Sequence, residues 1–568
     1  MKPNLVGLRL AGVFLARHPL FVLLALSAFL YFFRLGSTDL VEWDEALYSI
    51  RVQAVAQDHQ WLDQSSQAIG GLWTAAHPPL VVWLMAMVSS GVGMNEWGLR
   101  LVAALCGIGC ILVLYHFVLV LTQSRQLGLW SGTLLLMIPY FSRYARMAQL
   151  DVPVLLWILL SLFFFWRGLN GKVWNFVLSG LALGLGLMSK IVVAMLSPLT
   201  IIFFLAGEFI WGERKQALRG CQGLILMTLL GLLIALPWHL AITWKWGTAY
   251  WKQALGYHIW SRITQPLEGH ASGLGFLYWP VQIVVRLGSL FALTLVGLFV
   301  RPSSTVEQGL SLSARRFVYA WFLVPFLLFS ATATKFHPYL LLFVLPLVVF
   351  TALGANYLRS GLASRKIIAL VLSTAVACLI FSQTLFLQHS LEQVVFSFSN
   401  RSLPPYRDSL YLVLFSLLVW SGMLLSLNLA KRIGGSRGRL LATIFFTLAL
   451  ILPASFTALS PLVRKDSAWI ELRNYLVKNP SRQIVLLGQA SAVNRFYLSV
   501  LRFKTGADWT IRPPGDAQLA ELLGESGQIE PGKTVILSRA DWPKRPPLIQ
   551  PVPVFSNKKF VVFDSSAP

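Results

Sequence analysis

The sequence predicts an α-helical polytopic membrane protein of about 13 transmembrane helices, carrying a small C-terminal α/β domain outside the membrane. Three observations lead there. The 568 residues are 56% hydrophobic and only 12% charged, about half the charged fraction of an ordinary soluble domain. Apolar runs recur from near the N-terminus to Leu459, and a spanning helix needs roughly 20 predominantly apolar residues. After Lys465 the pattern changes to short β-branched runs separated by Pro and Gly.

The first run, Leu20 to Phe33, follows Lys2, Arg9 and Arg17. No small-residue cleavage site follows it, so it reads as a retained helix and not a signal peptide. The later runs lack the two-residue alternation of a membrane barrel, which leaves helices. The net charge of +24 is accounted for by Lys and Arg in short loops. That is the bias of cytoplasmic loops and calls for no nucleic acid partner. It places the N-terminus, Arg125, Arg167 to Lys172, Glu213 to Arg219, Arg301 to Arg316, Arg359 to Lys366 and Lys431 to Arg439 inside. The intervening outer segments are Gly36 to Glu96, Ser142 to Asp151, the Lys190 turn, His239 to Gly275, the Lys335 turn, Gln388 to Asp408, and everything after Leu459. Leu80 to Met94 is apolar but short for a span, and is expected to lie at the outer interface or re-enter. With that assignment Asp44, His77 and Asp151 share one face. Cys106, Cys110, Cys221 and Cys378 all fall in apolar runs and suggest neither disulfides nor a metal site.

Two domains follow. Residues 1–462 form the membrane domain, with juxtamembrane helices in its outer loops, and residues 463–568 form the outer domain. In the latter, "SAWIELRNYLVKNP" has helical spacing, while "RQIVLLG", "KTVILSR" and "KKFVVFD" read as strands.

Candidate chemistry sits in the outer segments. Asp44 and Glu45 open "DEALYSIRVQAVAQD", an amphipathic stretch suited to the bilayer surface. Such acids complement a helix N-terminus, and one of them could also take a proton from an acceptor. His77 precedes two prolines that favour an extended entry into the next helix. Arg143, Arg146 and Asp151 mark the end of the third span, on a face otherwise sparse in cations. Lys190 interrupts apolar sequence in "GLGLMSKIVVAM", and "TATKFHPYLL" repeats the arrangement with Lys335, His337 and Tyr339. Two lysines at one outer surface suit a phosphate leaving group, whose oxygens gain negative charge as its bond breaks. His258 and Arg262, four apart in the aromatic-rich outer loop, offer a second anion contact.

Taken in order, "WDEALY", "HPPL", an Arg-containing stretch ending in "LD", "MSK" and "TKFHPYLL" resemble the membrane glycosyltransferases of GT-C type that use polyprenyl-phosphate sugars. The likeness is nearest to the bacterial aminoarabinose transferases of lipid A, with protein O-mannosyltransferases as more distant relatives. The resemblance implies that Asp44 is the base, with Glu45 beside it, and that Asp151 is a second essential acid. It also implies that Lys190, Lys335 and Tyr339 contact the donor phosphate and that His258 and Arg262 form the His-x-x-x-Arg element of the long loop. His77 stands where the lipid A enzymes carry Lys, and Ala76 replaces the preceding acid. That loss counts against a divalent metal at His77 and His258, and the chemistry requires no cofactor. The implied reaction is inverting transfer of a sugar from a polyprenyl-phosphate such as undecaprenyl phosphate to a lipid or protein acceptor, at the outer face of the inner (plasma) membrane. His77, Arg146 and Arg262 would assist in binding. An oligosaccharide ligase using a diphosphate carrier, and a lipid or sugar transporter, are the alternatives.

Overall fold

The computed structural model describes residues 19–359 apart from 42–43, 69, 268–271, 289 and 300–309, a few positions near 371, and parts of 468–564. The expected spans between Arg359 and Leu459, with the outer segment Gln388 to Asp408, lie outside the described residues.

Helix α1 (Pro19–Phe32) leads through a turn at Leu35–Val41 to α2 (Asp44–Ala56), then α3 (Leu80–Val92) and α4 (Glu96–Thr122). The Asn95 side chain caps α4 by accepting from Gly98 N at 2.9 Å, which satisfies one of the four open amides at its start. Its 27 residues extend about 40 Å, enough to cross a bilayer. Gln123 ends it in the left-handed region at φ 55°, and Ser124 caps α5 (Arg125–Met137) by accepting from Leu127 N. Helix α6 (Pro139–Tyr144) is one short turn, after which α7 (Asp151–Asn170) and α8 (Trp174–Leu187) run to the Lys190 turn. Helices α9 (Leu196–Trp211) and α10 (Arg214–Trp246) lead to a π-helix at Lys252–Ser261. Beyond it come α11 (Tyr278–Leu287), α12 (Leu290–Phe299), α13 (Leu312–Ala331), a short turn at His337–Leu340, and α14 (Leu341–Arg359).

Among the described residues six helices are long and apolar enough to span a membrane, and a seventh arises if α11 and α12, bent by 119°, count as one. Helix α3 has 13 residues, about 20 Å, too short for the 30 Å apolar slab, and packs between α2 and α4. Helix α8 crosses α10 at small residues: a methyl at Gly180 would stand 2.8 Å from Leu230 Cβ, and one at Gly184 2.7 Å from Ile234 Cβ. The Gly-x-x-x-Gly spacing therefore lets the two backbones approach and sets where the Lys190 turn emerges.

Beyond the membrane helices, α15 (Ala468–Lys478) precedes a five-stranded sheet of order β2-β1-β3-β5-β4. Strands β1 (Gln483–Leu487), β2 (Asp508–Arg512) and β3 (Lys533–Ser538) are parallel, and β4 (Phe555–Ser556) and β5 (Phe560–Asp564) add antiparallel. Strands β1, β3 and β5 are the three apolar runs expected from the sequence; β2, "DWTIR", carries too little apolar pattern to announce itself. Both sheet faces are apolar. Ile484, Leu486, Ile536 and Val562 pack with Trp469 and Leu472 of α15, while Val485, Val535 and Phe563 form a second cluster opposite.

The α/β unit docks on the helical part through Asp39, whose carboxylate accepts from Trp469 N and Ile470 N at the start of α15. Burial lifts this carboxyl from 3.8 to about 6, despite those two bonds and the charge of Lys559, with Glu96 adding to the rise. A raised acid is stabilising in its protonated form, so its contribution is complete below about pH 4 and is lost as pH rises through about 6. Thermal unfolding of the full chain should show that fall in stability across pH 4 to 6, and Asp39→Asn should flatten it.

Candidate functional site

Helix α2 begins with two carboxylates that point to different places. Glu45 is fully buried, and four donors occupy its oxygens: Arg100 Nε at 2.7 Å and Ala148 N at 2.8 Å on Oε1, Arg100 Nη2 and Val41 N, both at 2.8 Å, on Oε2. Burial alone would raise this carboxyl, but the Arg100 charge and the four bonds hold it below the usual carboxylate value. Arg100 also donates to the carbonyls of Leu35, Thr38 and Asp39. Glu45 therefore has no oxygen to offer a substrate proton, and the catalytic part expected of it is replaced by a scaffolding one. Asp44, half-buried on the neighbouring position, lies within electrostatic reach of Tyr48 and Lys190.

The bond from Ala148 joins this pair to the segment that delivers Asp151 at the start of α7. Asp151 Oδ1 accepts from Lys190 Nζ at 2.9 Å, and both side chains are buried. Burial works against the Lys190 charge, but Asp151, Tyr339 and Asp44 outweigh it, and the ammonium is held above the usual lysine value. The same influences record that Tyr339 and Asp44 lie within electrostatic reach of Lys190. Helix α3 is tied to this turn by Leu80 N, which donates to Met188 O at 3.0 Å, and so His77 stands close by.

His77 and His258 face each other with ring centroids 4.5 Å apart. His258 Nε2 donates to Trp73 O at 2.9 Å. Burial, followed by His258, Lys190, Arg262 and Arg51, depresses His77 well below the usual imidazole value. Near neutral pH the His77 ring is therefore uncharged. No third His, Cys, Asp or Glu joins the two imidazoles among the described residues.

Arg262 and Lys190 approach the Phe336 ring at 5.1 and 5.9 Å, a cation–π arrangement that holds both cations near one another. The segment carrying His258 and Arg262 is stapled to the Lys335 segment by Thr334 N to Arg262 O and Ala333 N to Ile263 O. His258 lies in the π-helix and Arg262 directly follows it.

The structure thus brings together Asp44, Asp151, His77, Lys190, His258, Arg262 and Tyr339. Arg146 and Lys335 are employed elsewhere. Arg146 donates to the carbonyls of Leu30, Tyr31 and Phe33, closing the C-terminal end of α1. Lys335 Nζ donates to Phe329 O and Ser330 O near the end of α13, at 3.2 and 2.8 Å, leaving one N–H. Both cations cap helix ends.

Other residues belong to the site without having been expected there. Tyr48 and Arg51 follow Asp44 at four and seven positions, on one face of α2. The Tyr48 hydroxyl is raised by burial and by Asp44 and Asp151, with Arg51 and Arg262 opposing. Arg51, 1% exposed, donates from Nη2 to Gln64 Oε1 and His77 O, while its Nε and Nη1 meet no acceptor among the described residues. Tyr144, half-buried in α6, feels both Asp151 and Asp44.

The family described as dolichyl-phosphate-mannose-protein mannosyltransferase matches residues 76–244. An undecaprenyl phosphate-alpha-4-amino-4-deoxy-L-arabinose arabinosyl transferase of Pseudomonas fluorescens is 26% identical over 328 residues, 57% of this chain and 56% of that one. A Pseudomonas aeruginosa counterpart is 24% identical over 314 residues, 50% of this chain and 53% of its own. The chain spans about half the length of the curated relatives it matches. The crystal structure of ArnT from Cupriavidus metallidurans bound to undecaprenyl phosphate superposes with a TM-score of 0.65 at 16% identity, covering 96% of this chain and 97% of that one. The chain has an ArnT-like, GT-C fold. The apo form of the same ArnT agrees, at TM-score 0.62 and 17% identity. The shared fold extends over nearly the whole chain, while the sequence match to the relatives extends over about half of it.

The division of labour at the start of α2 has a direct test. Glu45→Gln leaves the Arg100 charge buried and unbalanced, and should cost about 3–5 kcal/mol in stability. Asp44→Asn, on a half-buried position, should cost clearly less than that. Thermal unfolding in detergent distinguishes the two; equal losses would contradict the assignment.

Proposed function

We propose that the chain is an inverting glycosyltransferase that moves a sugar from a polyprenyl-phosphate donor to a lipid or protein acceptor at the outer membrane–water boundary. The observation that carries this reading is the gathering of Asp44, Asp151, Lys190 and Arg262 at one site, drawn from four separate segments. The fold it shares with an ArnT described as bound to undecaprenyl phosphate supports the donor class, and so do the printed activities of the undecaprenyl-phosphate-dependent relatives.

In the proposed reaction the donor enters from the bilayer and its phosphate lies against Lys190 and Arg262. Asp44 takes the proton of the acceptor as its oxygen or nitrogen attacks the anomeric carbon. The bond from that carbon to the phosphate oxygen breaks, and the carrier phosphate leaves with the electron pair, stabilised by the two cations. One displacement assisted by one base inverts the anomeric centre. Asp151 keeps Lys190 charged and oriented. Arg51 Nε and Nη1 and the Tyr48 hydroxyl supply donors toward the sugar oxygens. No cofactor enters this scheme.

The topology that accompanies it has about 13 spans, the described ones plus the apolar runs between 360 and 459, with the N-terminus in the cytoplasm and the α/β unit outside.

The test is mass spectrometry of envelope glycolipids and glycoproteins from cells with and without the gene, complemented by variants. Asp44→Asn should lower modification about 10²- to 10⁴-fold, and carrier-linked monosaccharide should accumulate. Full modification by Asp44→Asn would contradict the base role, and an accumulated preassembled glycan would favour a ligase. Lys190→Met should weaken binding of undecaprenyl phosphate about 10- to 100-fold, the loss of one charge-assisted contact.

A further inference from the structure

The turn that delivers Asp44 is held from two sides. From the membrane side, Arg100 binds the carbonyls of Leu35, Thr38 and Asp39. Gly36 lies so close to α4 that an added Cβ would stand 2.9 Å from Trp97 N, and a side chain there would lift the turn off the helix. From the other side, hydrogen bonds come from the α/β unit, more than 400 residues later in the chain. Asp39 Oδ2 and Oδ1 accept from Trp469 N and Ile470 N at 3.2 and 3.3 Å, so the turn itself supplies the N-terminal cap of α15. Leu40 N donates to Tyr497 Oη at 3.2 Å. That hydroxyl in turn donates to Glu96 Oε1 at 2.8 Å, and Arg473 Nη1 reaches both Glu96 oxygens at 3.1 and 3.2 Å. Glu96 opens α4 one turn before Arg100. Tyr497, stacked on Trp469 at 5.0 Å, is buried, and so are Glu96 and Arg473.

Docking of a soluble unit onto a membrane domain needs only some buried surface. Here the polar contacts fall on the few residues that precede the proposed base, and they continue without a gap. Leu40 is followed by Val41, whose amide is one of the four donors to Glu45. Releasing Leu40 N would free Val41 and with it the first turn of α2.

We propose that the outer α/β unit is a working part of the transferase, with Asp39, Tyr497 and Arg473 acting as positioning residues that fix the turn carrying Asp44. This rests on the reading of Asp44 as the base. The donor phosphate contacts, on Lys190 and Arg262, lie on other segments and are outside this clamp. Disturbing it therefore lowers turnover and leaves donor affinity in place.

The experiment uses the full chain in lipid nanodiscs, with Tyr497→Phe, Arg473→Met and Arg473→Lys, and Asn479→Ala as a control in the same unit. Hydrogen exchange is followed in peptides covering 36–44, binding is measured with undecaprenyl phosphate, and modification is scored in complemented cells. Tyr497→Phe and Arg473→Met should speed exchange at 38–44 about tenfold or more, lower modification about tenfold, and keep undecaprenyl phosphate affinity within about twofold. Arg473→Lys should recover part of both losses, and Asn479→Ala should change nothing. Unchanged exchange overturns the clamp. Faster exchange with normal modification overturns its part in turnover, and so does a loss of affinity that matches the loss of modification. If the parent chain fails to bind undecaprenyl phosphate, the donor reading falls, and the exchange rates still decide for or against the clamp.

Discussion

Glu45 and Arg100 form an ion pair with almost no exposure to solvent, and three segments around the candidate site hang from it. Taking two such charges out of water costs several kcal/mol for each, and only a complete set of hydrogen bonds offsets that. The set here is complete for the carboxylate and reaches the turn before α2, the first turn of α2 itself, and, through Ala148, the approach to Asp151. The relative position of Asp44 and Asp151 is therefore a consequence of one buried interaction. Removing either partner would leave the other charge stranded, so the pair functions as a rigid joint.

Around that joint the site is cationic and tightly coupled. Lys190 is balanced by Asp151, and Arg262 shares the Phe336 ring with it. Arg51 adds a buried guanidinium with two nitrogens unpartnered among the described residues. His77 sits among these charges and is driven neutral by burial and by its cationic neighbours. A site so composed favours an anion, and an arriving phosphate would reverse part of the penalty on each cation at once. Asp44, half-exposed beside them, is the acid with access to an incoming acceptor. Binding and proton removal are thus assigned to different segments.

Much of this was legible in the sequence, because the costs involved are large. Apolar runs marked the six or seven span-length helices among the described residues, β-branched runs gave β1, β3 and β5, and a lysine interrupting apolar sequence marked Lys190, since such a charge needs a partner or a cavity. What could not be read was how each charge is used. Arg146 and Lys335 carry the same signal as Lys190, yet they close helix ends on backbone carbonyls, and only three-dimensional placement separates a cap from a ligand contact. Glu45 and Asp44 are adjacent and chemically alike; a 100° step around the helix sends one inward and the other out. Tyr48 and Arg51 were within reach, since they repeat the Asp44 face at four and seven positions, but a tyrosine and an arginine on an amphipathic helix read equally well as an interfacial surface.

The most direct test of convergence on one outer site is a cryo-EM structure of the full chain in nanodiscs with undecaprenyl phosphate. The phosphate is predicted within about 3.5 Å of Lys190 Nζ and the Arg262 guanidinium, on the same side of the bilayer as Asp44, with Glu45 still paired to Arg100. Phosphate density at the opposite membrane face, or with Lys190 bonded only to Asp151 and no anion beside it, would contradict the account.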